Sequence, residues 1–162
     1  MSKNLKKRIK YLIKENLQDL WWRIYGKRIK NPEFPDSPDS PDSFLFVCKG
    51  NICRSPFAEQ LARKIAEKEN CRNMTFFSAG LEVKNPDSPP EEAKRAAENF
   101  GIFLNHHSSR KLTRNMLNSF DVILAMETKH FKALRKSFPE FQNKIFFLPF
   151  FDQYTHQLHK KT

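Results

Sequence analysis

Cys48 and Arg54 stand with five residues between them in Val47-Cys48-Lys49-Gly50-Asn51-Ile52-Cys53-Arg54-Ser55-Pro56, directly after the apolar run Phe44-Leu45-Phe46-Val47. The run reads as a buried strand and Ser55-Pro56 as a helix start, because proline's fixed φ and missing N–H suit a first helical turn. A loop between a strand end and a helix N-terminus gathers backbone N–H groups at the positive end of the helix dipole, which makes an anion site. The same field, with the Arg54 guanidinium, favours thiolate over thiol at Cys48, and a thiolate is a nucleophile. Arg54 can hold two oxygens of a phosphoryl group in a fork and stabilise charge on them as the group moves to sulfur. Spacing alone is a weak signal, since a cysteine at a strand end is more often a small buried hydrophobe. Here the spacing follows an apolar strand, contains Gly50 and Asn51, which tolerate unusual backbone angles, and ends in Ser-Pro. Lys49, Gly50, Asn51, Ile52, Cys53 and Ser55 are the candidate phosphate-binding positions around Cys48 and Arg54.

Such a loop needs a scaffold on either side. Residues 44–47, 74–77, 122–125 and 145–148 read as strands, and 56–68, 91–100 and 127–137 as helices, the second of these stopped at Gly101. The alternation predicts an α/β fold, a three-layer sandwich with a four-stranded parallel sheet and helices on both faces, whose ligand site lies at the carboxyl ends of the strands.

What precedes this domain differs in kind. Residues 1–30 are crowded with lysine and arginine, while Leu5, Ile9, Leu12, Ile13, Leu17 and Leu20 recur at three- and four-residue steps, which predicts a basic amphipathic helix. It suits an anionic membrane surface, and equally the packing of its stripe on the catalytic domain or a partner protein. Pro-Asp-Ser repeats three times between residues 35 and 43, so 31–43 is expected to be a solvated linker and 44–162 the folded domain.

At 162 residues, one domain with a tail is the natural division. A net charge of +11 favours anionic partners without choosing among phosphoproteins, lipid and nucleic acid. A specific nucleic-acid role is not expected, because the aromatic residues fall inside strand and helix patterns and not in an exposed stacking row. Three cysteines are too few for a disulfide framework, and the first segment lacks a signal peptide's apolar core. A cytoplasmic setting is expected, peripheral to a membrane if the basic helix binds one. No metal-ligand spacing is visible, and cysteine-based phosphoryl transfer needs neither metal nor cofactor.

The stretch Phe46-Val47-Cys48-Lys49-Gly50-Asn51-Ile52-Cys53-Arg54-Ser55-Pro56 resembles the signature of the low-molecular-weight protein tyrosine phosphatase family. Phe77-Ser78-Ala79-Gly80, Gly101-Ile102, His107 to Thr113 and Phe120-Asp121-Val122-Ile123-Leu124-Ala125-Met126 are also similar, so the resemblance runs over residues 44–152. It implies a phosphotyrosine protein phosphatase acting on phosphorylated proteins through a cysteinyl-phosphate intermediate. Cys48 would be the nucleophile, Arg54 the phosphate clamp and Ser55 the hydroxyl donor to the thiolate. Asn51, Ser78 and His107 would hold the loop in shape by hydrogen bonds, so His107 is a structural residue and not a general base; His106 receives no role. Cys53 lies close enough in the loop for a reversible disulfide with an oxidised Cys48, a protective role that the resemblance supports. Its other reading is a small buried residue, and Cys71 is a bystander.

The resemblance breaks at the general acid. The family draws it from an Asp-Pro loop after the fourth strand, whereas here Asp152, in Phe150-Phe151-Asp152-Gln153, matches an earlier, non-catalytic aspartate, and the acid position falls at Lys160, Lys161 and Thr162. The domain is therefore expected to be truncated at its C-terminus. Loss of general-acid help costs on the order of 10²- to 10⁴-fold in rate, which leaves a slow enzyme, a phosphate-binding relic, or a role for Asp152 in a rearranged tail. Arsenate reduction shares the oxyanion geometry but would need a cysteine relay for which only Cys71 is on hand. Phosphoarginine hydrolysis is a further alternative, but the resembling enzymes carry threonine at the position of Ile52, whose larger apolar side chain suits an aryl substrate. Specificity is expected from the loop walls at 81–90, where Leu81 replaces the family's usual aromatic.

Overall fold

The computed structural model describes residues 41–71 and 73–149. The expected basic helix at 1–30, most of the linker, and Asp152 lie outside the described residues. Strand β1 (Ser43–Cys48) leads into helix α1 (Arg54–Lys68), then β2 (Thr75–Gly80), α2 (Glu91–Glu98), α3 (Arg114–Ser119), β3 (Val122–Ala125), α4 (Thr128–Ser137), a 3₁₀ turn at Pro139–Phe141, and β4 (Ile145–Phe147). All pairings are parallel and the sheet order is β2-β1-β3-β4, so β1 is central and carries its carboxyl end to the middle of one sheet edge.

Alternation of side chains along the strands divides the core in two. Phe46, Leu124 and Phe146 occupy matched register positions and meet Ala66, with Ala58 and Ala62 alongside, so α1 covers that face. Small alanines on α1 let large phenylalanines of the sheet interdigitate with it. Phe147 points the other way, in register with Ala125, and its ring lies 6.1 Å from that of Phe131 on α4. The sheet is therefore covered on both faces, and near-continuous apolar strands such as Phe44-Leu45-Phe46-Val47 are what a doubly covered parallel sheet requires. Ala97, Ile102 and Leu104 form a satellite cluster against Phe57 and Leu61 of α1. Among the described residues no helix is long and apolar enough to cross a membrane.

The elements read from sequence recur with shifted ends. Strand β2 begins at Thr75, one residue later than expected, and runs on to Gly80, because pairing with β1 extends through Ser78, Ala79 and Gly80, which carry no strand-like apolar side chain. Helix α2 stops at Glu98, ahead of Gly101, whose φ of 65° is left-handed. Helix α3 was not anticipated: six residues are too few to show a helical period, although its Thr113 cap, accepting from the Met116 N–H at 3.3 Å, is a legible start signal.

Asp121, just ahead of β3, fastens the first residues of β1. Its Oδ2 accepts from Ser43 Oγ at 2.6 Å and from the backbone N–H groups of Ser43 and Asp42 at 3.2 and 3.3 Å. The Ser43 hydroxyl above all, with these N–H groups, holds the Asp121 carboxyl below the ordinary carboxylate value. A depressed folded-state value means the contribution is complete above about pH 3.8 and is lost as pH falls through the lower folded value. Asp121→Asn should lower the melting temperature at pH 7, and the gap to wild type should narrow in acid; circular dichroism melts from pH 7 to 2.5 check this.

Candidate active site

Strand β1 ends at Cys48 and α1 opens at Arg54, so the intervening five residues form a loop whose far end is a helix N-terminus. Pro56 sits buried in the first turn, where its missing N–H costs nothing. Neighbouring segments fasten the near end: Leu81 N–H donates to the Cys48 carbonyl at 3.0 Å, Glu82 N–H to that of Lys49 at 2.8 Å, and Met126 N–H to that of Val47 at 3.0 Å. Gly80 makes this close approach possible. A Cβ there would lie 2.9 Å from both the Gly50 carbonyl carbon and the Lys49 oxygen, and 2.6 Å from Val83 Cγ2. Gly50, expected to serve an unusual backbone angle, has no left-handed φ, and a Cβ there would meet only the Ile52 side chain, at 3.7 Å. The left-handed residue is Asn51, with φ 52°.

Asn51 is fully buried and makes five hydrogen bonds. Its backbone N–H donates to Cys48 Sγ at 3.2 Å, and its carbonyl accepts from His107 Nε2 at 2.8 Å. Its Oδ1 accepts from the Arg110 N–H at 2.9 Å, which fixes the orientation of the amide, and Nδ2 then donates to Ser55 Oγ at 2.9 Å and Ser78 Oγ at 2.8 Å. Each serine oxygen, accepting from Asn51, turns its own proton elsewhere. That of Ser55 is aimed at Cys48 Sγ, 3.0 Å away, and that of Ser78 goes to Glu59 Oε2 at 2.6 Å. Glu59 is a carboxylate only 4% exposed, and its other oxygen faces Arg63 Nη2 at 3.3 Å. The buried charge is thereby partnered, as burial demands. The chain of bonds runs without a break from a buried anion to the cysteine sulfur, and two donors converge on that sulfur.

The remaining positions occupy different settings. Burial, more than its neighbours, keeps the His107 imidazole below its usual value, so it is neutral and its Nε2–H donates to the Asn51 carbonyl. Burial first, then Cys48, pushes the Cys53 thiol up, with Arg54 opposing. Cys48, Cys53 and Cys71 are all free, and Cys71 is exposed. The Arg54 guanidinium is half-exposed and pairs with Glu127 Oε1, whose partner oxygen Oε2 is 2.8 Å from Lys129 Nζ. Lys49 lies at the rim, 3.2 Å from Glu82. A cleft of about 360 Å³ opens beside the loop, between Gly50 and Ile52 on one side and residues 82–87 on the other, with Ser109 also lining it. Among the described residues no group of His, Cys, Asp or Glu could hold a metal ion.

Three participants were not singled out from sequence. Glu59 stands four residues after Ser55 and four before Arg63, a polar line along one helix face that a search for buried polar spacing would have found. Gly80 was visible within its motif but its steric duty was not, since the clash it avoids is with a loop thirty residues earlier. Glu127 meets Arg54 only through the fold, and no local spacing links them.

A description of the low molecular weight phosphotyrosine protein phosphatases matches residues 43–161. The chain belongs to that family. It is 40% identical over 104 residues to the low molecular weight protein-tyrosine-phosphatase Etp of Escherichia coli strain K12, covering 63% of this chain and 66% of Etp. It is 38% identical over 104 residues to the protein-arginine-phosphatase of Bacillus subtilis strain 168, covering 64% and 68% respectively. Among solved structures it resembles a mutant of the arginine phosphatase YwlE with a phosphorylated active-site serine, at TM-score 0.60 and 36% identity over 65% of this chain and 68% of that one. The chain thus spans about two thirds of the length of the curated relatives it matches.

Gly80→Ala should displace the loop, because the new methyl meets backbone on one side and Val83 on the other. Inorganic phosphate affinity, read by calorimetry, is expected to drop by tenfold or more while the far-UV spectrum stays that of the wild type.

Proposed function

We propose that this chain is a phosphotyrosine protein phosphatase that works through a cysteinyl-phosphate intermediate. The observation that carries the reading is the buried Cys48 sulfur receiving the Asn51 N–H and the Ser55 hydroxyl at the foot of a loop that opens α1. Sulfur attacks phosphorus, the S–P bond forms as the ester P–O bond breaks, and the departing tyrosyl oxygen takes a proton. Water then attacks phosphorus, the S–P bond breaks, and inorganic phosphate leaves with the thiolate restored. Arg54 clamps equatorial oxygens, and Lys49, Gly50, Asn51, Ile52, Cys53 and Ser55 bind the phosphate. Ser78 and His107 hold the loop, so that its dipoles are oriented before substrate arrives and need no reorganisation during reaction. The YwlE mutant whose active-site serine is phosphorylated supports transfer to a protein side chain in this fold.

Asp152, which matches a non-catalytic aspartate of the family, would donate to the leaving oxygen only in a rearranged tail, and without a donor the same site would bind phosphate while turning it over slowly. A phosphoarginine substrate is the second reading, because the arginine phosphatase relative is nearly as similar as Etp. Ile52, an apolar wall of the cleft beside the loop, favours an aryl ester. Residues 1–30 are proposed to attach the domain to an anionic membrane surface or a partner protein.

Hydrolysis of p-nitrophenyl phosphate by the whole chain tests the reading, since its activated leaving group needs little protonation. Turnover is expected, Cys48→Ser should abolish it, and Arg54→Ala should reduce it by about 10²- to 10³-fold or more. Retained phosphate binding with no turnover would make the chain a phosphate-binding relic. Faster release from phosphoarginine than from phosphotyrosine peptides would shift the substrate to the second reading.

A further inference from the structure

Glu127 is the cap residue of α4, and His130 lies in that helix's first turn. His130 is 3% exposed, yet neither ring nitrogen has a hydrogen-bond partner among the described residues. A buried polar group left unsatisfied destabilises the folded state, because it has lost its water partners without replacing them. Such groups are rare in folded proteins, and each asks for a reason. Here the reason lies one residue pair away. His130 Nε2 stands 4.0 Å from Glu127 Oε2, roughly 1 Å beyond hydrogen-bond reach, while Oε1 of the same carboxylate holds Arg54.

Arg54 thus has a resident anion, and a phosphate monoester brings a second one to the same guanidinium. Two anions crowding one cation repel each other, and the repulsion is stronger where the surroundings exclude water. The carboxylate therefore gains from retreating, and a donor behind it determines where it goes. We infer that His130 is a positioning residue for the clamp: when a phosphate monoester enters, Arg54 turns from Glu127 to the phosphoryl oxygens, and the released carboxylate accepts a hydrogen bond from His130 Nε2–H. This rests on the phosphatase reading and adds to it a partner that exchanges with Arg54.

The charges around the imidazole suit the role. Burial first, then Arg54, Lys129 and Lys49, push His130 down to about 4, with Glu82 opposing. At neutral pH it is therefore an uncharged donor with one N–H, able to hold a carboxylate without competing electrostatically with Arg54 for the phosphate. The helix N-terminus on which it sits disfavours its cationic form as well. Lys129 does not replace it, because that ammonium is exposed and its pairing is weakened by solvent and salt.

The test is calorimetric titration of inorganic phosphate into the full chain carrying His130→Phe, Glu127→Gln or both. Phenylalanine keeps the packing and removes the donor. His130→Phe should weaken phosphate binding about tenfold, the usual scale for a hydrogen bond to a charged group. In the Glu127→Gln background the same change should alter affinity by less than about twofold, because no carboxylate charge remains to be drawn away. Equal losses in both backgrounds, or no loss in the wild-type background, would overturn the inference, whatever p-nitrophenyl phosphate turnover shows. Should the phenylalanine variant not fold, His130→Asn, which keeps an N–H donor, should retain more phosphate affinity than His130→Leu; equal affinities would overturn the inference. Absence of phosphate binding by the wild-type chain would overturn both this inference and the reading beneath it.

Discussion

A single buried amide fixes the geometry of this site. Asn51 takes a left-handed backbone conformation that costs a non-glycine residue energy, and it is held there by bonds to four separate parts of the fold: the cysteine sulfur, Ser55 of α1, Ser78 of β2 and the segment bearing His107 and Arg110. Loss of any one of these would leave a buried donor or acceptor unmade, so the loop has little freedom to relax into an ordinary turn. The strain is stored where the chemistry is and offset by packing elsewhere. The sheet supplies that packing: β1 is central, its carboxyl end is fixed in three dimensions, and α1 is pinned across it by Phe46, Phe76 and their neighbours.

Polarity within the network follows a direction. Glu59 is the buried anion at one end, and its demand for a proton donor orients Ser78; the Arg110 N–H orients the Asn51 amide; Ser55 is left to point at sulfur. A fully satisfied network of this kind is stiff, whereas the outer part of the site is not built that way. Arg54 is half-exposed and bound to the carboxylate of Glu127. The groups around the sulfur are thus tied into a network, whereas Arg54 is held through a half-exposed ion pair.

Much of this was legible in the sequence, for reasons that can be named. The strand before Cys48 is apolar on both faces because both are covered, and proline in the first turn of α1 marks the helix start to within two residues, the helix beginning at Arg54 and not at Pro56. The family resemblance brought Ser55, Asn51, Ser78 and His107 forward together, and in the structure Ser55, Ser78 and His107 each hydrogen-bond to Asn51. What could not be read depends on distance in the chain. Glu127 reaches Arg54 only because α4 and α1 begin at the same edge of the sheet, and Gly80 is constrained by a loop it pairs with through β1. Gly50 was misread because glycine is permissive: its presence allows a strained angle without requiring one, and the strain falls on its neighbour.

Acid-quenching the chain during turnover of p-nitrophenyl phosphate, followed by mass spectrometry of the peptide containing residues 48–54, tests the central claim directly. One phosphoryl group on Cys48 is the predicted result, absent from Cys48→Ala. Turnover that leaves no phosphoryl group on the chain, or places it on a residue other than Cys48, would contradict the account.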